Sequence, residues 1–600
     1  MAEIRNPNQQ GGGKQQDSRS FLVFALVFVV MLLALQYFRP KQQTAPQKRQ
    51  QSTATPAPVP AGSDTTATPP IQGANGNKES AEVTSPASVA ARGEQTTTVE
   101  NENYRIVFTN RGAQVKSWVL KRYQDDNGKP LDLVNQETAA KFGYPLSLYS
   151  YDAGLQQRLV GPLYVPSATG NLAAPGELSF AYASGGLVVK KTFRFDASYV
   201  IHVTASVTNN GSALPTLLAW PAGLGDDRSL SSYVNAQQFD ASQNGKFEKT
   251  AAKKVSGGAT LNGPFDYAGI SDQYFGAVFL PDQPEQATAV SLNNAWSLPK
   301  DPKQPNGTSE PVQLLGAAMG SLSTPASMRI FVGPKVIDVL SSVKATAANG
   351  TETGPNIEPI LNFGWIAIIA KPLFALLRFT YDHIIPNWGW SILILTLILN
   401  LAMLPTRITM MKSALKMQRI QPEMQQIKDK YKKYKATDPK RQEMNKEIME
   451  LQRREGVNMF GGCLPMLIQY PLLYGFYAML RNVIEMRQAH WLWLHDLSAP
   501  DQLHILPIFV IVTMFTTSYL SPSPGVDPAQ QKMMAFMMPV MFGFMMWNFA
   551  SGVALYWAAG NLITTGMQLI MNRTGMGKQM KEIAARRAAK KLPRSGRRTT

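Results

Sequence analysis

The side chains best placed to do chemistry in this chain are a few uncharged polar residues inside long apolar runs: Thr396, Asn400, Gln469, Thr516, Asn561 and Thr565. The runs Trp388–Leu404, Phe460–Leu480, Ile505–Leu520, Met533–Phe549 and Gly552–Met571 contain no Asp, Glu, Lys, Arg or His. Ion and proton pathways through lipid nearly always need such a residue, so the chemistry on offer is hydrogen bonding and hydration. Helical spacing puts Thr396, Asn400 and Arg407 on one face, and Trp557, Asn561, Thr565 and Gln568 on another.

Each run is long enough to span lipid as a helix, though the shortest would reach only about 25 Å against a hydrocarbon core of about 30 Å, so local thinning is expected. Orientation follows from Lys and Arg. Between Pro405 and Asn458 there are 14 basic and 7 acidic residues, and from Arg573 to Thr600 there are 10 and 1. Both stretches belong in the cytosol. Counted from that side, the polar residues lie from about 6 Å deep (Asn400, Thr516) to about 15 Å (Asn561). They are expected to line a wet recess that opens inward and stays closed outward. The methionines of Met533–Phe549 would give it an adaptable apolar wall.

The rest of the 600 residues is mixed, with a net charge of +18 and a mean hydropathy of −0.14. Residues 1–20 are read as a cytosolic N-terminus and Phe21–Phe38 as a retained transmembrane anchor, because Arg39-Pro40-Lys41 stands where a cleavage site would need small residues. Residues 39–103 lack aromatics and read as a disordered tether. From Tyr104 to Ser342, short alternating runs such as Leu187–Phe195 predict a strand-rich sandwich. The segment Leu361–His383, apolar except for a few residues including Lys371 and Arg378, predicts a helix in the outer interface.

Within 407–458, Ile420, Met424, Ile427, Tyr431 and Tyr434 alternate steps of four and three, the seam of a helix that pairs with another. Asp438-Pro439 reads as a cap and first turn, after which Met444, Ile448 and Leu451 resume the pattern. A cytosolic helical hairpin follows, whose basic surface suits anionic lipids or ribosomal RNA, without sequence-specific nucleic-acid recognition. The basic tail 574–600 has the same character. The fold class is therefore multi-domain: a polytopic α-helical core of six transmembrane helices including the anchor, an all-β exported domain and the hairpin. Neither a phosphate-binding GxxxxGK[ST] loop nor an HExxH zinc motif occurs, and no cofactor or metal is expected.

The run Gly461-Gly-Cys-Leu-Pro-Met-Leu-Ile-Gln-Tyr-Pro-Leu-Leu-Tyr-Gly-Phe-Tyr477 resembles the signature of the YidC/Oxa/Albino family of membrane protein insertases. Trp493-Leu-His-Asp-Leu-Ser498, Asp527-Pro-Ala-Gln-Gln-Lys532 and Ser551-Gly-Val-Ala-Leu-Tyr-Trp557 with Asn561 are similar to further family motifs, in the right order. The resemblance implies a five-span core over 388–573 with a cytosolic hydrophilic groove, a periplasmic β-supersandwich, and an inner-membrane protein with both termini cytosolic. It also implies nascent membrane proteins, the ribosome and the Sec translocon as partners, and a non-enzymatic insertase and chaperone activity. By position, Thr396, Gln469, Tyr556 and Trp557 match groove or substrate-contacting residues of the family.

One departure stands out: Asn400 occupies the place where many members carry a groove arginine. Arg407, two turns toward the cytosol on the same face, is expected to restore part of the positive field. Two other classes compete, a small-solute transporter and a carbohydrate-active exported domain. The first would be expected to carry intramembrane charge or paired broken helices, and the second rests on an analogy of fold.

Overall fold

The structure is a computed structural model that describes residues 88–125, 127–225, 237–299, 309–322, 325–361, 363–434, 438–457, 464–520, 528–575, 578–579 and 582. The anchor 21–38, most of the tether, Cys463 and nearly all of the tail lie outside the described residues.

Alternation of buried and exposed positions builds the sandwich. Strand Leu187–Phe195 buries every second residue and pairs with Val200–Asn209 on one side and Gly176–Ser184 on the other. Among the described residues these belong to a ten-stranded sheet, and two further sheets have five strands each. Apolar side chains meet between the layers, where the Trp118 ring lies 5.8 Å from Tyr104 and 5.9 Å from Trp220. The domain starts earlier than expected. Thr96–Glu100, inside the stretch read as tether, is a strand paired with Tyr104–Thr109 and Gly170–Ala173. Its threonines are β-branched, and Thr97 and Val99 are buried, so the strand needs no aromatic residue to earn its place.

A lysine sits in that core. Lys191 is wholly buried in the middle of Leu187–Phe195. Its Nζ donates to the carbonyl of Leu146 at 2.6 Å and to that of Ala113. Both carbonyls belong to non-glycine residues with positive φ, 59° and 47°, so the ammonium ties down two irregular turns that the strands cannot satisfy. Burial pulls its pKa down to about 7.

Among the described residues eight α-helices follow: α1 Ala367–His383, α2 Trp388–Ala402, α3 Leu404–Lys430, α4 Lys440–Arg454, α5 Leu464–Asn482, α6 Ile505–Leu520, α7 Pro528–Met546 and α8 Ser551–Arg573. The bounds of α2, α5, α6 and α8 fall close to the apolar runs, whereas α7 begins before Met533. Glycines set close approaches. A Cβ on Gly475 of α5 would come within 2.7 Å of Ile369 of α1, and one on Gly543 of α7 within 2.1 Å of Ile511 of α6. Among the described residues, Gly364–His383 is the single unbroken helix long and apolar enough to cross a bilayer, while α2 and α3 qualify together with a 50° bend. The break falls at Met403, just before Pro405.

The two cations of α1 point back to the sandwich. Lys371 pairs with Glu358 at 2.7 Å, and Arg378 pairs with Asp338 at 2.6 Å. The junction continues through Gln273, which donates to the Arg481 carbonyl at 2.7 Å, and Arg487, which donates to the Gln124 carbonyl at 2.8 Å. One apolar cluster runs unbroken from the sandwich through Ile357 and Ile360 into α1, α2, α5 and α8.

The two helices α3 and α4 pack on part of the expected seam: Ile420 and Met424 of α3 meet Leu451 of α4, supported by Ile427 and Ile448. Asp438 Oδ1 accepts from the Lys440 N–H at 2.9 Å, with Pro439 already helical.

Candidate functional site

The Ser551-Gly552 motif fixes the start of α8. The Ser551 N–H donates to Ala499 O at 2.7 Å, the Gly552 N–H to Leu497 O at 2.9 Å, and Ser551 Oγ to Asp496 O at 2.8 Å. These bonds satisfy helix N-terminal donors that would otherwise be orphaned. In the same loop, buried Asp501 caps α6, accepting from the N–H groups of Leu503 at 3.1 Å and Leu506 at 2.7 Å. With both helices pinned at one end, their polar residues meet in fixed register.

Two polar tracks result. The first runs along α2 into α3. Thr396 Oγ1 donates to Ile392 O at 2.6 Å, Asn400 Nδ2 to Thr396 O at 2.8 Å, and Arg407 Nη2 to Asn400 Oδ1 at 3.0 Å. The Arg407 guanidinium also faces Tyr556 of α8, whose hydroxyl hydrogen-bonds the side chain of Gln469 of α5. Tyr556 is held flat against Phe476, ring centroids 4.0 Å apart. Gly560 lets α8 approach: a Cβ there would stand 3.9 Å from Thr396 and 4.0 Å from Asn400. Arg407 Nε has no hydrogen-bond partner among the described residues.

The second track joins α6 to α8, with Thr517 Oγ1 2.7 Å from Thr565 Oγ1 and Asn561 Nδ2 3.4 Å from Thr513 Oγ1. Trp557 stacks on Phe542 of α7, ring centroids 5.4 Å apart.

The expected set is thus largely brought together, with two corrections. Thr516 is exposed and bonds only Val512 O of its own helix among the described contacts; Thr513 and Thr517 take its place. Depth along the axis does not distinguish these residues, and helical phase does, since one position turns the side chain by about 100°. Matching i,i+4 pairs, Thr513/Thr517 and Asn561/Thr565, were the signal in the sequence. Asn400 and Thr396, expected to be wet, are buried, 8% and 0% exposed. Both amide atoms of Asn400 are engaged by protein, because a buried amide left without partners costs a few kcal/mol. Gln469 is half-buried.

Around this polar interior the helices are apolar outside. Phe536 and Phe544 of α7 are 66% and 78% exposed, and Met533, Met537, Met541 and Met545 form an exposed stripe at i+4 spacing.

Comparison with known proteins agrees with this division. The family model "YidC periplasmic domain" matches residues 96–376, and "60Kd inner membrane protein" matches residues 379–579. The chain is 34% identical to the membrane protein insertase YidC of Geobacter sulfurreducens over 78% of this chain and 85% of that one. It is 33% identical to that of Pelobacter propionicus over 93% of this chain and 99% of that one. A solved structure titled "Active YidC insertase crystal structure with the first transmembrane domain resolved" aligns over 81% of this chain and 95% of that one, at 18% identity and a TM-score of 0.33. A polar interior inside an apolar helical bundle, joined to a β-sandwich, with both family models matched and relatives at 33–34% identity over most of the chain, places it in the YidC family of inner-membrane proteins.

Proposed function

We propose that the chain inserts segments of other proteins into the inner membrane and assists their folding there, without covalent chemistry. The observation that carries this reading is the Arg407–Asn400–Thr396 track, continued by Tyr556 and Gln469, inside a bundle with an apolar exterior. A segment crossing lipid exposes polar groups that cost several kcal/mol each in hydrocarbon. Hydrogen-bonding groups reaching into the inner leaflet lower that barrier, and lateral release of the apolar part into lipid supplies the driving force. Arg407 gives the site its positive charge, which favours an acidic residue of the arriving segment.

In this reading 21–38 is an anchor, the five runs from Trp388 to Met571 are spans, and both termini are cytosolic. The ion pairs from α1 to Asp338 and Glu358 support its lying at the periplasmic surface beside the sandwich. The short α6 and the short apolar part of α7, Ala535–Met546, favour a thinned bilayer. The hairpin and tail face the ribosome and anionic lipid, and the Sec translocon is a second partner.

The test is insertion of a small substrate with an acidic translocated segment into vesicles containing the purified protein. Arg407→Ala is expected to slow this insertion about tenfold, and Asn400→Ala by less. A neutral-tailed substrate should respond weakly to either change. Equal or absent effects on the acidic substrate remove the role given to Arg407. Failure of a photoreactive group at Gln469 to capture any nascent chain removes the site itself.

A further inference from the structure

The hairpin is basic as a whole, yet it carries a groove of about 490 Å³ lined by Glu423, Gln426 and Ile427 of α3 and Glu447, Glu450, Leu451 and Arg454 of α4. Three carboxylates and one guanidinium therefore rim an aliphatic floor. Glu423 pairs with Arg454 at 3.4 Å and Glu447 with Lys430 at 2.7 Å. Glu450 has no ion pair among the described residues.

The end of the chain runs toward this groove. Met571 packs against Met411 and Leu415 of α3. Further on, the Arg419 guanidinium donates to Gln579 Oε1 at 2.9 Å. As the chain advances from 571 to 579, its contacts thus move outward along α3, from 411 and 415 to 419. Glu423 and Gln426, four and seven residues past Arg419, continue the same face. The sequence that remains, 583–600, contains Arg586, Arg587, Lys590, Lys591 and three further arginines, and no Asp or Glu. Arg586 lies seven positions past Gln579, a reach of about 10 Å as helix or about 23 Å extended. The groove begins about 6 Å beyond Arg419 along the α3 axis.

We propose that the basic segment 583–600 docks into this groove of its own hairpin, its cations against Glu423, Glu447 and Glu450 and its side-chain stems on Ile427 and Leu451. Individually such exposed pairs are weak. The tether raises the local concentration of the tail to the millimolar range, and arginine forms bidentate pairs with carboxylates. The docked tail hides its cations from other anionic surfaces, so the hairpin and a polyanion compete for the same segment.

The test uses the full-length protein in lipid nanodiscs with a photo-crosslinking amino acid at position 426, read by mass spectrometry. Crosslinks are expected within one molecule, to peptides of 583–600. They should fall at least about fivefold in the double variant Glu447→Lys/Glu450→Lys, and also in about 0.5 M salt, where the screening length shrinks to about 4 Å. Should the double variant fold poorly, Glu450→Gln is expected to weaken the signal about twofold with the hairpin intact. Crosslinks to a second copy, to lipid or to other parts of the chain overturn the proposal, as do tail crosslinks indifferent to both charge reversal and salt.

Discussion

The sandwich and the helical bundle solve the same problem with opposite solvents. In the sandwich, Trp118, Trp220 and Phe193 are buried and polar side chains alternate outward. In the bundle, Phe544, Phe536 and Ile508 lie outside, while Thr396, Asn400, Thr513 and Ser551 are buried. Each region nonetheless keeps a cation inside, wholly buried in one and partly in the other, and the two differ in what they leave unmet. Lys191 is tied to two carbonyls and serves the fold. Arg407 is tied to one amide, and its Nε has no partner among the described residues. A cation committed to backbone carbonyls is structural, whereas one held on a side-chain amide, with its Nε unpartnered among the described residues, has a donor left over.

The sharpest way to break the comparison is to remove one region. Trp118→Ala, which empties the aromatic centre of the sandwich, should cost about 3–5 kcal/mol there. Protease sensitivity of the sandwich should rise while α5–α8 stay protected and insertion activity persists. Loss of insertion with the helices intact would mean that the bundle is not autonomous.

A smaller effect tests which solvent each surface meets. Phe544→Lys on α7 should destabilise the bundle in lipid by about 3 kcal/mol. Tyr151→Lys on the sandwich surface, 52% exposed, should stay within about 0.5 kcal/mol. Unfolding of the two variants in the same vesicles gives the contrast, and equal effects would show that α7 does not face lipid.

The smallest effect concerns Lys191. Its amine is protonated in the unfolded chain up to the ordinary lysine value, whereas burial brings the folded pKa down to about 7. Between these values the unfolded state binds more protons, so stability rises with pH. From pH 7 to pH 8 the sandwich should gain about a few degrees in Tm relative to Lys191→Met, in which this gain disappears. Parallel curves would mean that the lysine stays charged when folded.

Much of this was legible in the residues because periodicity reports which face of an element is buried. The seam Ile420/Met424/Leu451, the Asp438 cap and the bounds of α6 could be read directly. The strand Thr96–Glu100 could not, because its partners lie on other parts of the chain and its own composition matches that of a linker. Thr516 was misplaced because depth in a span carries no information about azimuth.

The sequence alone determined where the apolar runs lie, which loops carry positive charge, and the family motifs Gly461–Tyr477 and Ser551–Trp557, since composition, period and order are local properties. Only the tertiary structure decided that Asn400 is buried and bonded to Arg407, that Thr513 and Thr517 replace Thr516, and that α1 is tied by ion pairs to the sandwich. Those are contacts between residues distant in the chain or set by helical phase against a neighbour, and their partners are fixed only when the elements pack.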